Sequence, residues 1–133
     1  MSEWKDLVAI NDALARYGDG VNQRDPEVWA SCWDEDAEWF LFGPETVKGR
    51  DAIVAAWVET MKNYPFVVMY VTQGKVDIDG DTASGHSYTN EVARLADGKR
   101  MRAQGVYEDR YRKRKGVWGF SYRKFQVLNL EEY

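Results

Sequence analysis

The hydrophobic period of this chain changes once, near its middle. Over residues 3 to 22 apolar side chains recur at helical spacing: Trp4, Leu7, Val8, Leu14, Tyr17 and Val21. Gly18 and Gly20 weaken the end of that helix by about 1 kcal/mol each relative to Ala, so packing or a ligand must require them. Asp25-Pro26 then starts a second helix, Asp capping free amides and Pro fitting the first helical position. It is predicted to run to about Trp33, burying Val28, Trp29, Cys32 and Trp33. Ala37 to Phe42 reads as a strand that Gly43-Pro44 breaks, with the acids Asp34, Glu35 and Asp36 in a solvated connection before it. A third helix is expected from Arg50 to Lys62, with Ile53, Ala56, Trp57, Thr60 and Met61 on one face. From Phe66 the period becomes two. Strands are predicted at 66–79, 82–95, 100–114 and 117–128, separated by Asp79-Gly80-Asp81, Asp97-Gly98 and Lys115-Gly116. Helices first and antiparallel strands afterwards predict one α+β domain over 1–133. Three N-terminal helices would pack on a curved, mainly antiparallel sheet to form a cone.

Composition narrows the chemistry. The 133 residues suit one domain, and 44% hydrophobic content excludes a disordered chain. Six Trp, eight Tyr and five Phe imply either a bulky core or a pocket walled by rings. A net charge of -4 gives nucleic acid nothing to bind, and the basic run Arg110 to Lys115 reads as a strand end with its turn. The single cysteine, Cys32, reads as packing. No apolar run is long enough for a membrane span, and the N-terminus lacks the pattern of a signal peptide, so a cytoplasmic location is expected. No phosphate loop, dinucleotide glycine pattern or metal cluster appears, so no cofactor is expected.

Alternation along the strands selects the groups that can reach an interior. If Asp109 faces inward, so do Ala103, Gly105, Tyr107 and Tyr111, while Arg102, Gln104, Glu108, Arg110 and Arg112 face out. Arg123 shares a face with Ser121, Phe125 and Val127 and needs a partner: Asp109, Glu91 or a ligand anion. Ser87, Thr89 and Glu91 alternate with His86, Tyr88 and Asn90, so one set faces inward and the other outward. If the second set is inward, the only histidine, His86, becomes a candidate base. Trp118, Phe120 and Tyr122 are expected on the outer face, where exposed rings would favour association.

The stretches YGDGVNQRD (17–25), CWDEDAEW (32–39), KGRDAI (48–53) and GVYEDRYRKRKGVWGFSYR (105–123), in this order, resemble the SnoaL-like group of the nuclear transport factor 2-like superfamily. Local similarity points to three enzyme families within it: hexachlorocyclohexane dehydrochlorinase, scytalone dehydratase and ketosteroid isomerase. The first two use an Asp late in the first helix and a His on the first long strand. The resemblance puts those positions on Asn22 and Met69, so their proton-abstracting pair is missing here. It also implies pocket roles for Trp39 and Arg123, and an inward face for Ser87, Thr89 and Glu91 that leaves His86 outside. Likeness to ketosteroid isomerase implies a hydrogen-bonding role for Tyr17 and an acid role for Asp109, while that family's general base position falls on Leu41.

Two functions remain open. One is a cofactor-independent lyase, isomerase or cyclase acting on a small hydrophobic cyclic or aromatic molecule. Its catalytic residues would be Tyr17, Asp109 and Glu91, and its substrate-binding residues Asn22, Trp39, Leu41, Met69, Tyr107, Arg123 and Phe125. The other is a ligand-binding or assembly module of the same fold without chemistry. The resemblance implies a homodimer or homotrimer in either case.

Overall fold

The computed structural model describes residues 3–41 and 44–133. Helices α1 (Glu3–Gln23), α2 (Pro26–Ala30) and α3 (Arg50–Met61) pack on a sheet of β1 (Trp33–Phe40), β2 (Val47–Lys48), β3 (Phe66–Asp79), β4 (Thr82–Arg94), β5 (Arg100–Arg114) and β6 (Val117–Glu132). The strand order is β2-β1-β6-β5-β4-β3. Every neighbouring pair is antiparallel except β1 and β6, which run parallel. The fold is the expected α+β arrangement of N-terminal helices on a curved, mostly antiparallel sheet. The break expected at Gly43-Pro44 falls partly outside the described residues.

α1 buries Ile10, Ala13, Leu14, Tyr17 and Val21, a stripe at i, i+3, i+4, i+7 and i+11. Trp4 and Val8 lie off that stripe and are exposed, contrary to the sequence reading. Gly20 has a packing reason: a Cβ there would stand 2.6 Å from the Cβ and 2.7 Å from the Cα of Trp29. α2 is capped as expected, the Asp25 carboxylate accepting from the amides of Glu27 and Val28. It is shorter than expected, however, and Trp33 opens β1. The tryptophans form the centre of the core. Trp29 stacks on Trp57 with centroids 4.5 Å apart and also meets Trp33 and Trp39.

Two sequence expectations fail for physical reasons. The acids Asp34, Glu35 and Asp36 belong to β1 and are not a free solvated turn. Arg114 of β5 gathers all three, at 2.9 Å from Asp34, 3.2 Å from Glu35 and 3.1 Å from Asp36. Burial alone would raise the carboxyl pKa of Asp34; Arg114 and the amide of Asp36 bring it below the ordinary value. On β6, Trp118 and Phe120 are core residues, not outer-face rings. Tyr111 pairs with Phe120 but Arg110 pairs with Tyr122, so Ser121 is the extra residue of a β-bulge. Phe120 and Arg123 therefore both point inward, which strict alternation forbids.

Candidate functional site

Between α1, α3 and the sheet lies a cavity of about 170 Å3. Its walls are mostly apolar: Trp57, Met61, Met69, Met101, Phe125 and Leu130 among others. The polar groups in its lining are few: Tyr17, Trp39, Thr60, Tyr64, Glu91 and Tyr107. An apolar recess with a small set of converging polar groups is the usual form of a small-molecule site. A larger groove, about 570 Å3, lies among the ends of β1, β3–β4 and β5–β6. Asp36, Glu38, Asp77, Asp79, Arg110 and Arg112 line it, so it is a charged surface recess and the smaller cavity is the better site.

At one place in the cavity lining stands a pair of hydroxyls. The Tyr17 and Tyr107 oxygens are 3.2 Å apart, and the Trp39 indole N–H donates to Tyr107 over 3.1 Å. Two hydroxyl hydrogens share one bond, so one hydrogen is left over whichever tyrosine donates to the other. Among the described residues it has no acceptor. Burial raises both hydroxyl pKa values, with Arg123 opposing the rise, so both tyrosines stay neutral and keep their hydrogens.

Among the described residues, Glu91 is the only carboxylate in the cavity lining. It reaches the interior because β4 alternates Ser87, Thr89 and Glu91 inward. No hydrogen bond or ion pair engages its side chain among the described residues, and burial raises its pKa above the ordinary carboxyl value. Its negative charge in turn raises the hydroxyl pKa of Tyr64, after burial. A desolvated, unpaired carboxyl of this kind holds its proton more tightly than a solvated one, which suits it to proton transfer.

The other predicted residues divide. Tyr17, Trp39, Leu41, Met69, Glu91, Tyr107 and Phe125 all line the cavity. Asn22 does not. Its side chain donates to the Met69 carbonyl and accepts from the Met69 amide, both at 2.7 Å, tying α1 to β3. Asp109 and Arg123 do not line it either. Arg123 Nε donates to Asp109 at 2.7 Å, and Arg123 Nη2 donates to the Ser87 hydroxyl at 2.6 Å. The Ser87 hydroxyl donates to Asp109 at 2.7 Å. Both charged residues are at most 1% exposed. Asp109 is thus the buried partner that Arg123 needs, and a direct hold of Arg123 on a ligand anion finds no opening. His86 is exposed and pairs with Glu108 on the outer face. Cys32 is buried and its thiol is pushed up to about 12, mainly by burial, so it stays protonated. Sequence reading missed Tyr64 and Thr60. Thr60 shared the predicted face of α3, but Tyr64 sits in a short connection where no periodicity marks it.

A family model described as a SnoaL-like domain matches residues 2–124. Hexachlorocyclohexane dehydrochlorinase 1 of Sphingobium indicum is 29% identical over 116 residues, which cover 85% of this chain and 75% of that protein. A crystal structure of a type 2 hexachlorocyclohexane dehydrochlorinase superposes with a TM-score of 0.90 at 25% identity, covering 99% of this chain and 91% of the other. A protein of unknown function from Mycobacterium tuberculosis superposes with a TM-score of 0.82 at 28% identity, covering 95% and 73%.

Proposed function

Because the chain belongs to the SnoaL-like domain family, within the nuclear transport factor 2-like superfamily, we propose that it is a cofactor-independent lyase, isomerase or cyclase. Its substrate is a small hydrophobic cyclic molecule carrying a hydrogen-bond acceptor. One observation carries this reading: an unpaired, desolvated carboxyl, Glu91, shares an apolar cavity with a hydroxyl pair that has a hydrogen to spare. Glu91 moves the proton. The Tyr17–Tyr107 pair donates to the oxygen on which negative charge develops, and the apolar wall excludes water from both. Similarity to dehydrochlorinases supports elimination chemistry as a class. Their Asp–His route does not come with it, since Met69 carries no exchangeable proton and Asn22 spends its amide on the β3 backbone.

The test begins with a thermal-shift screen of cyclic ketones, aromatic polyketides and terpenoids, since binding stabilises by mass action. Turnover of the hits is then compared between the wild type and Glu91→Gln. The variant should bind as before and lose about 10²–10⁴-fold in kcat, the usual contribution of a positioned acid or base. Full activity in Glu91→Gln would remove Glu91 from the mechanism. Binding without turnover in the wild type would favour the alternative of a non-catalytic ligand carrier.

A further inference from the structure

Arg123 is more elaborately held than an ion pair in the core requires. Asp109 and Ser87 engage its Nε and Nη2, and together they fix the plane of the guanidinium. Nη1 is buried and has no acceptor among the described residues. In that plane the guanidinium carbon lies 3.7 Å from the ring centre of Tyr107, 4.4 Å from that of Tyr17 and 4.2 Å from that of Phe120. Two of these three rings belong to the hydroxyl pair of the cavity, while Arg123 itself does not reach the lining.

We propose that Arg123 is a positioning residue of the site: held flat by Asp109 and Ser87, it lies against the faces of Tyr17 and Tyr107 and sets how strongly their spare hydroxyl hydrogen is donated into the cavity. This rests on the reading above that the pair grips an acceptor atom of the substrate. A cation over an aromatic face is attracted by the ring's electron density and draws on it. The phenol oxygen is left poorer in electrons and its hydrogen more positive. Around the pair, Asp109 acts against this effect at Tyr107, and the Cys32 thiol, kept neutral, contributes little at Tyr17. The cation therefore works through the rings on a bond it never touches. A purely structural Arg123 would stabilise the sheet and leave the hydroxyls as they would be over any apolar floor.

The two roles separate in a titration that needs no substrate. Tyr107→3-fluorotyrosine in the full chain places a fluorine reporter on the ring, and fluorine acidifies the phenol, which offsets part of the rise that burial causes. The fluorine NMR shift is followed against pH with Arg123 present, in Arg123→Met/Asp109→Asn, and in Arg123→Lys. The double variant removes the charged pair together; losing Arg123 raises the midpoint and losing Asp109 lowers it, and because Arg123 is the stronger influence the midpoint should rise, by less than the full shift of losing an adjacent opposite charge. Arg123→Lys keeps a cation against Asp109 and so protects the fold. Its compact ammonium cannot lie flat on two rings, and its midpoint should rise in the same direction but less. Should the double variant fail to fold, the lysine variant decides. A midpoint unmoved in folded variants overturns the proposal. Failure to find turnover on any substrate would sink the enzyme reading and leave this titration result standing.

Discussion

Arg123 and Asp109 illustrate how a buried pair behaves when one half is removed. Their burial is nearly complete. Arg123→Met strands a carboxylate and should cost about 3–5 kcal/mol, while Arg123→Met/Asp109→Asn should recover most of that loss. Thermal melts of the two variants followed by circular dichroism check this, and equal melting temperatures would show that the stranded Asp109 carboxylate costs nothing. Glu91 poses the opposite case, a buried carboxyl with no partner. Burial makes it bind its proton more tightly in the folded chain than in the unfolded one. The stability linked to it is therefore whole below the ordinary value of 4.5 and is lost as pH rises through the higher folded value. Glu91→Gln has no such loss. Its melting temperature should match the wild type in acid and exceed it at neutral pH. A variant less stable than the wild type at neutral pH would mean that Glu91 has a partner in the folded state.

At the scale of elements, alternation made β4 and β5 legible. Ser87, Thr89, Tyr107, Asp109 and Tyr111 are buried, and Glu91 reaches the cavity, because neither strand's shared ladder slips between Thr82 and Arg94. On β6 the same rule placed Arg123 correctly but misplaced Trp118 and Phe120, since one extra residue at Ser121 resets the phase and leaves no mark in composition. The clamp of Asn22 on Met69 was illegible for another reason: it joins a helix end to the first residues of a strand, 47 positions further on, and nothing local encodes it. Gly20 was readable as a demand for space, though not as to what fills it. That space is the backbone of Trp29 at the α1–α2 crossing, which cannot yield cheaply. Gly20→Ala should cost about 1–3 kcal/mol in chemical denaturation despite alanine's better helix propensity. A neutral result would show that α2 can shift away from α1.

For the whole molecule, no described helix is long and apolar enough to cross a membrane, yet several apolar side chains remain on the surface. Val127, Leu128 and Leu130 near the end of β6 are each at least half exposed, and parts of Tyr70 on β3 and Tyr88 on β4 are exposed too. Such a surface would favour self-association. Light scattering at micromolar concentration is expected to give a multiple of 15.4 kDa, and the mass of a single chain would count against it. The order of elements along the chain and their order in the sheet differ at one decisive place. β6, the last strand, lies between β1 and β5, with Trp39 paired to Arg123 across most of the sequence. β1 can therefore meet its inner neighbour only after β3, β4 and β5 have been made. Until then the tryptophan cluster lacks Phe120 and the tyrosine pair lacks its cation. Contacts this distant in sequence close slowly, so during synthesis the inner edge of β1 stays unpaired until β6 has emerged.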